Sequence, residues 1–219
     1  PVDAGGMSPD DREALVAAAR ALDATGYMPQ KSGNLSLRTP RGFVITPSGT
    51  PYAAMTPDDL VECAPDGTPL GNGRPSSEWR LHAAIYAARV EAGAVVHTHS
   101  PRATALSCAR AGIPPIHYMI TLSGGARIPC AEHAAFGTQA LAEAAVATLG
   151  RHLRACLLAN HGVIALGATL AAAVTLAREV ENLAGQYLDL LAAGLRPVEL
   201  TAEDLAEAAG RLEEYGRPV

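Results

Sequence analysis

Apolar residues recur at helical spacing near the start of the chain. Ser8 and Pro9 precede two acidic residues and then a series of apolar positions three or four apart: Leu15, Ala18, Ala19 and Leu22. A hydroxyl cap, a proline at the first helical position and acids at the positive end of the helix dipole are typical of a helix start. The pattern therefore predicts a helix over residues 9–25, with Gly26 as its stop signal.

Short apolar runs alternate with further helical patterns through the rest of the chain. The runs predict strands at 42–46, 60–64, 94–99, 116–120, 155–159 and 163–166. The helical patterns predict helices from Ser76 to near Gly93, over 102–110, 138–149 and about 169–193, and over about 202–214 after a Thr201 cap. Residues 66–75, rich in glycine and proline, predict a hairpin or loop. Because strands and helices interleave without a repeat or linker, the sequence predicts a single α/β domain over residues 1–219.

Composition excludes several classes of protein. The chain has 219 residues, 48% of them hydrophobic, 18% charged, and a net charge of -5, which argues against disorder. Lys31 is the only lysine and the arginines are scattered, so we expect no nucleic-acid partner. The uncharged run from Val163 to Ala177 falls short of the roughly 20 apolar residues of a membrane-spanning helix, so we expect a soluble protein without a membrane partner.

Two features bear on the compartment. The N-terminal residues lack a basic segment followed by an apolar stretch, which predicts that the chain is not exported. The four cysteines are far apart and form no CxxC pair: Cys63, Cys108, Cys130 and Cys156. A reducing, cytoplasmic compartment is therefore expected.

Three histidines are candidate metal ligands. His97 and His99 are two apart in a predicted strand, so their side chains point to the same face. His161 lies in an Asn-His-Gly turn between two apolar strands, where an imidazole has no packing role. Histidines in an apolar strand also serve purely structural roles, but three neutral imidazoles would leave one tetrahedral position open, as in catalytic zinc sites.

Glu78 is the next candidate. It follows two serines at a predicted helix start, where a carboxylate can simply favour the helix dipole or can ligate a metal and accept a proton. His82 lies four residues further on the same helical face. It is interpreted as a core histidine, with a partner of the site or a fourth ligand as alternatives.

Three polar segments could bind a phosphate. Ser32-Gly33-Asn34 and Thr46-Pro47-Ser48-Gly49 offer hydroxyl, amide and backbone N–H donors. Ser76 and Ser77 add hydroxyls at a helix N-terminus, which favours anions. Each segment alone is typical of a cap or a turn; together they indicate a phosphorylated ligand.

Seven runs carry a resemblance to a known family. They are SGNLSLR (32–38), ITPSGTPY (45–52), PSSEWRLH (75–82), AVVHTHS (94–100), IPPIHYM (113–119), IPCAEHAAFGT (128–138) and ANHG (159–162). In this order they cover nearly the whole chain and resemble the class II aldolase/adducin family. The resemblance implies a three-layer α/β/α domain around a mixed, mostly antiparallel sheet, assembled as a homotetramer with active sites between subunits.

The resemblance also implies site roles. One zinc ion per subunit would be held by Glu78, His97, His99 and His161, with Glu78 also acting as the catalytic acid/base. The substrate phosphate would be held by Gly33, Asn34, Ser48, Gly49, Ser76 and Ser77. Tyr118 and Tyr215 would assist proton transfer, acting on a neighbouring subunit's zinc, and Phe136 would line the aldehyde end of the site.

The implied reaction is cleavage of a ketose 1-phosphate, L-fuculose 1-phosphate or a close relative, to dihydroxyacetone phosphate and a small aldehyde such as L-lactaldehyde. Lys31, in a predicted loop, is not placed for an imine route. A sugar-phosphate 4-epimerase, which in this family has aspartate in place of Glu78, stays open, as do a decarboxylase or dehydratase and a non-catalytic adducin-like module. Three imidazoles also suit cobalt, manganese or iron.

Overall fold

A seven-stranded mixed sheet forms the centre of the molecule. The computed structural model describes residues 7–215. Its strands are β1 (Asn34–Thr39), β2 (Gly42–Ile45), β3 (Val61–Cys63), β4 (Ala94–Thr98), β5 (Cys130–Ala131), β6 (Ala155–Leu158) and β7 (Gly162–Gly167). They are arranged in the order β3-β2-β1-β4-β7-β6-β5. All neighbours are antiparallel except β5 and β6, which are parallel.

Helices cover both faces of the sheet. They are α1 (Pro9–Ala24), α2 (Trp79–Ala88), α3 (Pro101–Cys108), α4 (Gln139–Leu149), α5 (Leu170–Ala192) and α6 (Ala202–Glu214). Short 3₁₀ helices lie at Pro29–Lys31, Tyr52–Ala54, Pro57–Asp59 and Tyr118–Ser123. As expected, Ser8 caps α1 and Thr201 caps α6.

The sheet separates two apolar cores. Alternation along β4 sends Ala94 and Val96 into the core beneath α1, α3 and α5, whereas Val95 joins the core beneath α2 and α4. Each face of the sheet is thus covered by helices. The expected three-layer α/β/α domain around a mostly antiparallel sheet is confirmed.

One predicted strand is wrong and two strands were not predicted. Residues 116–120 belong in part to the 3₁₀ helix Tyr118–Ser123, which buries Ile120 and Ser123, three residues apart. Their spacing matches the three-residue turn of a 3₁₀ helix, and the His117 side chain caps its start by accepting the N–H of Met119. Strands β1 and β5 were not predicted; the other predicted strands and helices are confirmed with small shifts at their ends, except at α2.

Helix α2 is shorter than its pattern predicts. It starts at Trp79 and ends at Ala88, five residues before the expected stop near Gly93. Glu78 is the residue before the helix and not a residue inside it, and its side chain does not cap the helix. The carboxylate is consequently directed elsewhere.

The cysteines are all free thiols. Cys63 and Cys156 are buried, Cys130 is half-buried and Cys108 is exposed. Burial raises the pKa of Cys63 to about 11, so this thiol stays protonated. The expected absence of a disulfide framework is confirmed for these four residues. Among the helices described here, none combines the length and the apolar character needed to cross a membrane.

Candidate metal centre

Four candidate ligand side chains from three parts of the chain converge at one end of the sheet. His97 is on β4, His99 follows that strand, His161 lies in the turn between β6 and β7, and Glu78 precedes α2. One nitrogen or oxygen atom from each lies within 4.8 Å of all the others. The His97 Nε2 atom is 3.0 Å from Glu78 Oε2, and His161 Nε2 is 3.3 Å from Glu78 Oε1. The structure therefore brings together the four residues predicted as ligands.

The turn that carries His161 is held from several sides. Asn160 has a left-handed backbone (φ 57°), which asparagine tolerates better than most residues. Its N–H donates to the Ser107 carbonyl, and the N–H of His161 donates to the Ser107 hydroxyl. Gly162 packs against the backbone of Thr98 and the ring of His99, where a Cβ atom would collide. The turn and the end of β4 thus fix each other.

Hydrogen bonding fixes how His97 presents its ring. Its Nδ1 lies 2.8 Å from the Val163 carbonyl, which can only accept, so Nδ1 carries a proton. In the neutral ring the Nε2 lone pair then faces Glu78 Oε2 and also His99 Nε2, which is 3.1 Å away. The lone pairs of these neighbouring nitrogen and oxygen atoms repel each other at such distances unless a proton or a cation lies between them.

The protonation states of the four side chains favour the binding of a cation between them. Burial lowers the pKa of His99 to about 3 and that of His161 to about 4, so both rings are neutral near pH 7. Burial would raise the pKa of Glu78, but the neighbouring His97, His161 and Asn34 outweigh it and lower the pKa. Burial disfavours a charge on His97, but Glu78 outweighs it and raises the pKa. The site therefore combines a carboxylate with two neutral imidazoles and with His97, whose Nε2 holds a proton beside Glu78 that a bound metal cation would replace.

The donor set fits a divalent metal. Glu78 Oε1 is buried without a hydrogen-bond partner in the described part of the chain, so an oxygen acceptor is left unsatisfied. A tetrahedron with bonds of about 2.0–2.1 Å has edges of about 3.4 Å; three of the distances between donor atoms are 3.0–3.3 Å, and one donor atom from each of the four residues lies within 4.8 Å of the others. Three imidazoles and a carboxylate could hold zinc or a similar cation.

A cleft of about 460 Å³ opens beside this centre. It is lined by Glu78, His99 and His161 and by all six residues predicted to bind phosphate: Gly33, Asn34, Ser48, Gly49, Ser76 and Ser77. Backbone hydrogen bonds join their segments, since Ser76 donates to the Thr46 carbonyl and Ser48 donates to that of Arg74. The structure thus places the three predicted phosphate segments next to one another.

The side chain of Asn34 faces the carboxylate. Its Nδ2 donates to Glu78 Oε2 at 3.1 Å, and its Oδ1 lies 2.5 Å from Nε2 of His82. The amide is therefore engaged inside the protein, so a phosphate in the cleft would meet other donors of this segment. His82 is fully buried and stays outside the four-ligand group, in agreement with its interpretation as a core histidine.

The two predicted catalytic tyrosines lie apart from the cleft of the same chain. Tyr118 and Tyr215 line a separate groove with Met119, Leu200 and Leu212. They are 47% and 86% exposed, respectively. A role at a metal centre would require them to reach the cleft of another copy.

Three further side chains line the cleft. Lys31 lies at the phosphate segments, and His133 and Phe136 lie on the loop before α4. Phe136 is 72% exposed, so it is not a core residue. His133 was not singled out by its sequence context, because a lone histidine in a loop carries no spacing signal; only the fold shows where it lies.

The chain is similar to known proteins over most of its length. Residues 13–188 match the family model of the class II aldolase and adducin N-terminal domain. A 5-methylthioribulose-1-phosphate/5-deoxyribulose-1-phosphate aldolase of Rhodospirillum rubrum is 44% identical over 206 residues, covering 94% of this chain and 92% of that protein. An L-fuculose phosphate aldolase of Escherichia coli is 42% identical, covering 84% and 86%. A solved L-fuculose 1-phosphate aldolase structure aligns with a TM-score of 0.88 and 34% identity, covering 94% of this chain and 98% of that one.

Proposed function

Because the chain belongs to the class II aldolase and adducin family, we propose that it is a zinc-dependent aldolase acting on a ketose 1-phosphate. The products would be dihydroxyacetone phosphate and a small aldehyde. The observation that carries this proposal is the convergence of three imidazoles and one carboxylate beside a cleft lined by six candidate phosphate-binding residues. That arrangement suits a reaction that breaks a carbon–carbon bond next to a phosphorylated ketone.

The residues of the cleft have distinct tasks in this reaction. Backbone N–H and hydroxyl groups of the three phosphate segments bind the phosphate and orient the ketone towards Glu78. When bound, zinc supplies Lewis-acid stabilisation to negative charge on substrate oxygen atoms. Cleavage of the C3–C4 bond moves one net proton from the C4 hydroxyl to C3: a tyrosine accepts the hydroxyl proton as it passes its own proton to water, and Glu78, which first takes up a proton from water, delivers it to C3.

The tyrosine of this step is proposed to come from a neighbouring subunit. Tyr118 and Tyr215 line a groove of their own and are exposed. A homotetramer in which one subunit's tyrosines approach the next subunit's Glu78 would complete each site. The proposal therefore includes assembly as part of catalysis.

The candidate substrates share an apolar end. The relatives are named for L-fuculose phosphate and for 5-deoxyribulose and 5-methylthioribulose 1-phosphates, which end in a methyl or methylthio group. Phe136 offers an apolar surface at the rim of the cleft. One methyl group is worth only about 1–3 kcal/mol in an apolar pocket, so we expect activity on more than one of these substrates.

A coupled assay for dihydroxyacetone phosphate tests the proposal. The three ketose 1-phosphates should be supplied to protein as purified, to protein treated with a chelator, and to treated protein given zinc, cobalt or manganese. We expect cleavage that chelation abolishes and zinc restores. Activity that survives complete metal removal would contradict the metal mechanism, and interconversion of epimers without release of dihydroxyacetone phosphate would indicate an epimerase.

The His97→Ala variant tests the ligand assignment. Loss of one buried imidazole should abolish zinc retention and lower kcat by at least about 10²-fold. His152→Ala, which removes a histidine from an exposed part of another surface, should keep metal content and activity. Wild-type cleavage and metal content in His97→Ala would contradict the assignment.

A further inference from the structure

A row of buried hydrogen bonds runs from helix α2 to the candidate metal centre. The hydroxyls of Tyr86 and Ser36 are 2.8 Å apart, and Ser36 Oγ is 2.6 Å from His82 Nδ1. His82 Nε2 contacts Asn34 Oδ1, and Asn34 Nδ2 contacts Glu78 Oε2. All five residues are buried. We call this series Tyr86–Ser36–His82–Asn34–Glu78 the buried relay.

The relay follows from the registers of two elements. Asn34 and Ser36 alternate along β1, where Asn34 lies opposite His97 and Ser36 lies opposite Val95 of β4. Their side chains therefore point to the face of the sheet that α2 covers. On α2, His82 and Tyr86 are one turn apart and face those two side chains. Each strand residue thus meets a helix residue.

The direction of every hydrogen bond is determined from the Glu78 end. A carboxylate only accepts, so the Asn34 group beside it is the NH₂ group, and the other atom of the amide is its acceptor oxygen. That oxygen requires a proton on His82 Nε2. The neutral ring then has a bare Nδ1, which accepts from Ser36, and the Ser36 oxygen accepts from Tyr86.

The burial of these groups supports the same assignment. Burial, together with the nearby His97, lowers the pKa of His82 to about 3, so the ring is neutral near pH 7 and has one protonated nitrogen. Burial raises the pKa of Tyr86, so its hydroxyl keeps the proton that it donates. The relay therefore has the same direction of donation throughout.

We propose that His82 is a positioning residue for the metal centre: its Nε2–H group fixes the Asn34 amide, which in turn holds the Glu78 carboxylate against the three imidazoles. Ser36 and Tyr86 select the tautomer of His82 that this requires. The inference rests on the proposed function of Glu78 as a metal ligand and proton carrier. It assigns His82 an effect on the site although its two ring nitrogens pair with Ser36 and Asn34 and not with a candidate ligand.

Two variants of similar size separate this role from simple packing. The amide nitrogen of glutamine reaches about as far as Nε2 of an imidazole, whereas that of asparagine reaches about as far as Nδ1. His82→Gln can thus keep a donor at Asn34, and His82→Asn cannot. Ile85→Val, buried on the same helix away from the relay, is the matched control for a small loss of packing.

Zinc affinity is measured first, by competition with a chromophoric chelator. Partners that orient metal ligands are commonly worth 10–100-fold in metal affinity or activity. We expect His82→Asn to weaken zinc binding by about 10–100-fold, with His82→Gln and Ile85→Val close to wild type. In His82→Asn, kcat should fall with little change in KM, because the phosphate segments remain in place. Equal affinities, or equal losses, in His82→Gln and His82→Asn would overturn the proposal.

The wild-type protein provides a test that needs no variant. Long-range proton–nitrogen-15 correlation spectra of the zinc-loaded protein report which ring nitrogen of His82 carries the proton. We expect the Nε2–H tautomer, and the Nδ1–H tautomer would overturn the relay even if the variants failed to fold. Ser36→Ala, which removes the donor to Nδ1, should increase the population of the other tautomer.

These readouts separate the relay from the proposed reaction. If wild-type protein cleaves no ketose 1-phosphate but zinc affinity follows the order wild type, His82→Gln, then His82→Asn, the reaction is wrong and the positioning role holds. If cleavage is zinc-dependent but the two His82 variants bind zinc equally, the reaction holds and the positioning role is wrong.

Discussion

Lys31 brings a positive charge to an otherwise uncharged set of candidate phosphate ligands. Of the described residues that line the cleft, it is the one lysine or arginine, and it adjoins Ser32 and Gly33. Its backbone is left-handed (φ 65°), as is that of Gln30 (φ 58°), so the segment is held in a conformation that costs energy for such residues. A phosphate dianion in the cleft would gain a charge-assisted hydrogen bond from this side chain.

We therefore expect Lys31→Met to raise KM for a ketose 1-phosphate by about tenfold, the effect of one charge-assisted hydrogen bond, with kcat little changed. Competitive inhibition by inorganic phosphate should weaken in parallel. Arg41→Met, which removes an arginine paired with Glu62 outside the cleft, should change neither constant. Complete loss of cleavage in Lys31→Met, with trapping of the wild type by borohydride, would instead indicate an imine route.

Single residues differed in how far their surroundings could be read from the sequence. The pairing of His97 with His99 follows from alternation in a strand, and the proximity of both is confirmed. The contacts of Asn34 depend on its alignment with His97 across β1 and β4, which no local pattern encodes. Likewise, the hydrogen bond from the N–H of His161 to the Ser107 hydroxyl joins residues that are far apart in the chain. The contacts of a side chain were thus predictable where its partners are close to it in the sequence.

At the scale of elements, helix α3 begins without its own cap. The Ser100 side chain makes no capping bond; instead the buried carboxylate of Glu181, on α5, accepts the N–H groups of Arg102 and Ala103. Ser107 at the other end of α3 holds the His161 turn. The Glu181 contact thus anchors a helix that supports a candidate ligand.

Substituting Glu181 by alanine should lower the free energy of unfolding by about 1–3 kcal/mol, because it leaves buried N–H donors without acceptors. Urea denaturation of the metal-free protein measures the change. Glu179→Ala, on the same helix, removes only an exposed contact with Asn182 and should have a much smaller effect. Equal stability of the two variants would show that the cap contributes little.

A second cap gives a pH-dependent prediction. The Thr201 backbone N–H and hydroxyl both donate to the Asp204 carboxylate and lower its pKa from the usual 3.8. A carboxylate with a lowered folded-state pKa stabilises the fold above its unfolded pKa, and this contribution is lost as pH falls through the folded value. Asp204→Asn should therefore be less stable than wild type near pH 7, with the difference shrinking below pH 3.8. A difference that does not change with pH would contradict this reasoning.

Elements were predictable where capping and periodicity agreed. Helices α1, α4 and α6 each start after a residue whose hydroxyl caps them, and their positions were predicted closely. Strand β1 was missed because its polar residues, Asn34 and Ser36, point into the relay and so hide the alternation of a buried strand. The stretch 116–120 has strand-like composition, but packing against α5 and α6 favours a 3₁₀ helix there.

At the scale of the whole molecule, the interleaved pattern was sufficient for the α/β class. The order of the strands was not, because β1 pairs with β4 and β7 lies between β4 and β6. These are contacts between distant segments, and only the resemblance to a family implied the architecture. The family match over residues 13–188 confirms that resemblance.

The proposed assembly predicts complementation between inactive variants. If each site combines Glu78 of one subunit with Tyr118 of the next, the Glu78→Ala and Tyr118→Phe proteins should each be impaired on their own. In mixed oligomers, an intact site should form wherever a Tyr118→Phe subunit supplies Glu78 and its Glu78→Ala neighbour supplies Tyr118. Random reassembly at equal ratio should recover about a quarter of wild-type activity in a ring of identical interfaces. Light scattering should report a tetramer. No recovery from fully mixed oligomers would indicate that each subunit works alone.

The insertion of β7 between β4 and β6 has a consequence for biosynthesis. A ribosome releases Glu78 first, then the paired histidines, and His161 only with the turn that leads into β7. A nascent chain that stops before residue 161 therefore lacks one of the four candidate ligands, and we expect it to retain a divalent ion less well than a chain that includes this turn.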